Sequence, residues 1–294
     1  MQALLEYAIV GGVLYGIFFG LVAVGLNLIF GVMRIINLAH GEFVILGGFG
    51  AYWLSTSLGL NPLWGLPLAA LGAVVIGFPL YYAVVPGLQR SRDPEMLSFI
   101  LFFGLAQIID AIISLGFGPD QRSLPDEALG GGTISVLGQA FPDSWWVAAG
   151  VAILAIMGLW LYLTRTRLGF ATRAIMANRD EAFATGIAVD RVSAIAFVIG
   201  LALAGAAGVF VPYLQGSVAP GIGNNLTTTS FAILIIGSLG NPVGTLFGGL
   251  VFGVGSMLMQ TFYASWSDLV PYVLLVVIVL LRPQGLFGKA VRNA

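Results

Sequence analysis

In the stretch NLAHGEFVILGGFGAYW, Asn37 to Trp53, the single histidine of the chain, His40, stands two residues ahead of a carboxylate, Glu42, and a glycine-studded apolar segment follows. Ionisable groups in hydrocarbon are costly, so they face the protein interior or water and mark a pathway or binding function by default. Glu42 has a structural reading of equal weight. A carboxylate in the first turn of a helix opening near Asn37 is favoured by the helix dipole and the free backbone N–H groups. The two roles are compatible, and Asn37, His40 and Glu42 together mark the polar start of a helix at a break.

Catalysis would need more than these groups. The chain has no cysteine, which excludes disulfides, zinc thiolates and cysteine nucleophiles, and one histidine makes no histidine cluster. Few ionisable residues fall inside apolar stretches: Asp110 in QIIDAII, with Arg34 and Asp268 nearer the edges. Asp110 reads first as a hydrogen-bond partner within a bundle, and Arg34 as an anchor reaching for the interface. This scarcity disfavours a proton pump or an ion-coupled carrier, and a membrane-embedded enzyme even more. A nucleotide-binding loop is absent as well. It requires G-x-x-x-x-G-K-[ST], and the sole lysine, Lys289, lies in PQGLFGKA, with Pro283 and Ala290 at the first and last motif positions.

The elements that must position these residues follow from composition. Apolar residues make up 59% of the 294 and charged ones 9%, against about 45–50% and about 25% in soluble domains. Apolar stretches fall at about 7–31, 37–56, 62–86, 96–116, 145–164, 192–214, 226–240, 243–263 and 268–282, several of them near the ~20 residues that span a bilayer as helix. The fold class is therefore all-α: one polytopic membrane domain over 1–294 with eight to nine spans, some discontinuous. The run 226–240 is short and suits half of a broken helix. A net charge of −1 argues against a nucleic-acid partner.

Basic residues in short loops stay on the cytoplasmic side. They cluster at Arg90 and Arg92, at Arg165, Arg167, Arg173, Arg179 and Arg191, and at Arg282, Lys289 and Arg292; the segment 117–144 has one arginine against Asp120, Asp126, Glu127 and Asp143. The N-terminus is thus expected outside and the C-terminus inside, which needs an odd number of crossings and favours nine. The loop 165–191 suits a short amphipathic helix from Leu168 to Phe183, able to rest on headgroups or dock into a cytoplasmic protein. An echo at an offset of 201 residues joins His40, Gly47 and Gly48 to Asn241, Gly248 and Gly249. Tandem halves with broken helices explain it as well as small-residue packing does.

The stretch GLNLIFGVMRIINLAHGEFVILGGFGAYW, Gly25 to Trp53, resembles the N-terminal signature of the LivH/LivM-type permeases of branched-chain amino acid ABC importers. GIAVDRVSAIAFVIGLALAGAAGVF (Gly186 to Phe210) and LLRPQGLFGK (Leu280 to Lys289) extend the resemblance over essentially the whole chain, closer to the LivH side. The resemblance implies a bacterial inner-membrane machine of two permease subunits, the second a LivM-like paralogue, with two cytoplasmic ATPases that bind ATP and magnesium and an external solute-binding protein. This chain itself would bind no cofactor and no metal. The polar break at Asn37, His40 and Glu42 would then lie beside the substrate path between the permeases. The loop 165–191 would carry the coupling helix, with Arg173, Arg179, Asp180, Glu181, Ala182 and Gly186 at the ATPase. EAFATG matches the coupling pattern in part, Phe183 standing in its third place. Asn27 stands where relatives carry threonine, and GSLGNPVGT departs from their glycine pattern, so urea and short-chain amides stay open as cargo beside branched-chain amino acids. A channel is a more distant alternative.

Overall fold

The computed structural model describes residues 1–288; Lys289 and Arg292 of the basic tail lie outside the described residues. Seven stretches among them are long and apolar enough to cross a membrane: 2–33, 62–89, 94–117, 143–165, 189–208, 242–262 and 264–281. They contain α1 (Gln2–Met33), α3 (Gly65–Gln89), α4 (Pro94–Phe117), α5 (Asp143–Arg165), α8 (Val189–Gly208), α11 (Pro242–Phe262) and α12 (Val270–Leu281). Two shorter helices, α2 (His40–Leu58) and α10 (Gly223–Gly237), bring the intramembrane segments to nine. Two of the spans start at side-chain caps: Asp93 Oδ1 accepts from Met96 N at 3.0 Å ahead of α4, and Asn241 Oδ1 from Gly244 N at 3.1 Å ahead of α11, each with proline in the first turn.

Hydrogen bonds fix which helix ends share a side. At the basic end, Arg179 donates to Gln89 at the end of α3, and Leu286 N after α12 donates to Ile236 O near the end of α10. At the opposite, acidic end, Asn61 between α2 and α3 donates to Ala128 O, and Arg122 and Val218 exchange backbone hydrogen bonds at 2.7 Å. This end also carries a β-hairpin, β1 (Thr133–Val136) paired with β2 (Gln139–Pro142), whose turn residues Leu137 and Gly138 both have positive φ.

These directions sort the bundle into two inverted halves. In the first, α1 runs to the basic end, the chain turns back inside the bundle, α2 leaves towards the acidic end, and α3 and α4 cross in turn. In the second, α8, α10, α11 and α12 do the same with every direction reversed. The packing follows the exchange: α1 lies on α11 as α8 lies on α3, α2 on α8 as α10 on α1, and α1 and α2 meet their own counterparts α8 and α10. Helix α5 belongs to neither half. Small residues allow this closeness. Gly12 and Gly16 of α1 face α11 so tightly that a Cβ would come within 2.6 Å of Val254 Cα and 2.8 Å of Leu250 Cα.

Four expectations are corrected. The second helix opens at His40 rather than near Asn37, because Asn37 turns the chain with its own side chain, Oδ1 accepting from Ala39 N at 3.1 Å. The apolar stretch 192–214 ends as a long helix at Gly208, and only the four-residue α9 (Val211–Leu214) follows. The single amphipathic helix from Leu168 to Phe183 is two helices, α6 (Arg167–Ala177) and α7 (Arg179–Ala184), parted at Asn178. The counterpart of α2 is α10 and not α11, so the echo between His40 and Asn241 does not coincide with the repeat.

Candidate functional site

After Met33 the chain turns back along α1 in an extended segment, pinned where Ile36 N donates to Ser98 Oγ of α4 at 2.9 Å. His40 then lies beside Val22, its Nε2 donating to Val22 O at 2.8 Å. Val22 precedes the end of α1 by eleven residues, roughly 16 Å of helix rise, so α2 opens deep inside the bundle. On the other side the segment after α9 descends from the acidic end and is held where Gly221 N donates to Asp110 Oδ1 at 2.6 Å. Asp110 is thus a hydrogen-bond partner within the bundle, and α4 braces both re-entrant segments.

The N-termini of α2 and α10 meet. Gly41 N donates to Thr227 Oγ1 at 2.7 Å, and the same hydroxyl reaches Leu38 O at 3.1 Å. A Cβ on Gly41 would run into Gly223 O, and one on Gly223 into the Glu42 carboxylate. Glu42 is 3% exposed, and among the described residues no donor reaches its Oε2. The carboxylate lies in the first turn of α2 and against the first residue of α10, where the N-termini of the two helices meet. His40 Nδ1 and Asn37 Nδ2 are also buried without a partner among the described residues.

The first turns of α10 add Asn224, Asn225 and Thr228 to this junction, Asn224 and Asn225 exposed on the bundle surface. The apolar stretch expected at 226–240 begins after Asn224 and Asn225. Their signal is the run NNLTTTS, six polar residues in seven, set in a chain with few others inside its apolar stretches.

The remaining sequence candidates lie elsewhere. Gly47 and Gly48 face Gly205 and Gly208 of α8; Gly248 faces Ile233 O and Gly237 of α10, and Gly249 faces Gly16 and Gly20 of α1. All four serve close helix approach. Asn241 caps α11 at the basic end, beside a turn held by Asn27, whose Oδ1 accepts from Gly240 N at 2.6 Å and whose Nδ2 donates to Ser238 O at 3.2 Å and to Thr245 Oγ1. Both polar atoms of Asn27 are therefore engaged within the fold.

At the basic end, Asn178 opens α7 by accepting from Asp180 N and Glu181 N at 3.1 and 3.3 Å while donating to Glu181 Oε1 at 2.7 Å, a reciprocal cap. Arg179 ties α7 to the bundle through Gln89 at 2.7 Å and Asp190 at 3.4 Å. Ala182 is buried beneath, Phe183 is 73% exposed, and Gly186 ends the unit at φ 86°, where a side chain would be strained. A cleft of about 420 Å³ runs between this unit and the end of α3. Arg173, on α6, stacks its guanidinium 5.0 Å from the Phe170 ring.

Comparison with known proteins agrees with this architecture. The LivH permease protein of the high-affinity branched-chain amino acid transport system of Salmonella typhimurium is 28% identical, over 95% of this chain and 94% of its own length. The corresponding BraD protein of Pseudomonas aeruginosa is 28% identical, over 96% and 95%. LivM of Escherichia coli is 26% identical, over 90% of this chain and 67% of its own. Among solved structures, PsaBC from Streptococcus pneumoniae in complex with Fab shares the fold with a TM-score of 0.52 at 12% identity, covering 93% of this chain and 91% of that one. The model of the family described as branched-chain amino acid transport system / permease component matches residues 8–279. This polytopic helical membrane protein belongs to that permease family.

Proposed function

We propose that this chain is one of two membrane subunits of an ATP-driven importer that carries branched-chain amino acids across a bacterial inner membrane. The observation that carries the reading is the junction of α2 and α10. Two half-helices of opposite direction meet N-terminus to N-terminus inside the bundle around Glu42, the arrangement in which transporters combine polar backbone ends with a path through the membrane. The permease relatives supply the cargo class by their names. Asn27 does not speak for urea or amides, since its amide is consumed within the fold.

In this reading the basic end is cytoplasmic, the N-terminus is outside and the C-terminus inside. Helices α6 and α7 receive one of two ATPase subunits, which bind ATP and magnesium. A LivM-like paralogue packs beside the chain, and an external solute-binding protein delivers cargo at the acidic end. The test is uptake of labelled leucine by cells with and without the chain, competed with valine, isoleucine, urea and acetamide. Loss of an uptake that valine and isoleucine also inhibit supports the reading. Unchanged leucine uptake with loss of urea or acetamide uptake replaces the cargo.

A further inference from the structure

A cavity of about 520 Å³ opens between α1, the start of α10, the second half of α11 and the start of α12, within the roughly 300–1,000 Å³ usual for small-molecule sites. It connects the acidic end, at Ser267 and Asp268, to the polar first turns of α10, at Asn225 and Thr229. Its lining is divided. Asp268 is the one charged residue in it among the described residues. Gln215, Asn225 and Gln260 contribute amides, and Phe19, Leu226 and Phe252 form an apolar wall in which the two phenyl rings lie 5.0 Å apart, edge to face. Ser256 also lines it, 9% exposed, its Oγ buried with no partner among the described residues. The cleft between α2, α3 and α8 differs: about 190 Å³, lined by glycines and apolar side chains.

We propose that the α1–α10–α11–α12 cavity binds the cargo as an intact zwitterion with an aliphatic side chain. This rests on the amino acid import reading given above and assigns it a site. Asp268 accepts from the α-ammonium, the amides of Gln260 and Asn225 donate to the α-carboxylate, and the side chain lies on Phe19, Leu226 and Phe252. The fit depends on balanced charge. A lone carboxylate in an otherwise neutral site complements one ammonium, while side-chain amides meet a carboxylate without adding a second charge. Urea and acetamide lack the ammonium and so forgo the ion pair with Asp268 that an amino acid makes.

The test uses the assembled importer in membrane vesicles with a leucine analogue bearing a photoreactive diazirine. Irradiation followed by peptide mapping should place adducts within 222–229 and 252–260, protected by excess leucine but not by 4-methylpentanoate, which lacks the ammonium. Asp268→Asn should lower this labelling about tenfold at subsaturating analogue and raise the KM for leucine uptake by the same factor, the worth of one charge-assisted hydrogen bond, with kcat little changed; Asp268→Glu should restore much of both. Ser256→Leu, which fills the wall, should also lose the label. Leucine-protected adducts elsewhere in the chain, or labelling indifferent to Asp268→Asn, overturn the site and leave amino acid import standing. Wild-type vesicles that transport urea and none of leucine, valine and isoleucine overturn the import reading, and this site with it.

Discussion

Glu42 lies where the N-termini of α2 and α10 meet, and whether those helix ends stabilise a charge there is open to measurement. Each N-terminus facing a partly buried anion contributes about 0.3–2 kcal/mol. Glu42→Gln keeps the shape and removes the charge, so the purified chain should unfold at a lower temperature, while Glu42→Lys, a cation against both ends, should fail to accumulate in the membrane. Size-exclusion of heated detergent extracts reads both, and equal midpoints for wild type and Glu42→Gln would refute the dipole account. Thr227 is the neutral half of the junction. Thr227→Val strands the buried Gly41 N–H at about 1–3 kcal/mol, and Thr227→Ser, which returns the hydroxyl, should recover the wild-type midpoint in the same assay. Glu42 and His40 were legible in the sequence because polar groups stand out against an apolar run. Thr227 was not, since its importance comes from Gly41, 186 residues away.

Helices α6 and α7 show what local sequence signals achieve and where they are overlooked. The amphipathic pattern from Leu168 onward locates the surface, yet a periodic reading runs straight through Asn178. The asparagine followed three residues later by Glu181 is itself a capping signature, and it starts a new helix, turning Phe183 outward while Ala182 packs inward. The cap and the exposed ring should separate in experiment. Asn178→Ala loosens α7 by about 1 kcal/mol and should weaken co-purification of the ATPase moderately. Phe183→Asp leaves the helix intact and should abolish it. Both variants should accumulate in the membrane like wild type, because the bundle does not depend on either side chain. An ATPase retained fully by Phe183→Asp would move the docking surface away from α7.

At the scale of the whole molecule, the number of segments was legible and their symmetry was not. Hydropathy counts nine apolar runs because each must lie in hydrocarbon. The relation between halves resides in helix directions, and no residue pattern has to repeat to preserve it: Glu42 opens α2 where Asn225 lies in the first turn of α10. The glycine pairs that suggested a repeat are alike because both let helices touch, Gly47 at α8 and Gly249 at α1. Inversion also makes the fold alone neutral about which way it sits, since exchanging the halves exchanges the two sides. Orientation is set by what the symmetry lacks, namely α5 with its acidic approach and the basic α6–α7 unit after it. The absence of native cysteine makes this testable. Ser135→Cys, on the exposed hairpin, should react with a membrane-impermeant maleimide in intact spheroplasts, and Phe183→Cys only after permeabilisation. The reverse pattern would place the basic end outside, where no ATPase could reach α7, and the import reading would fall with it.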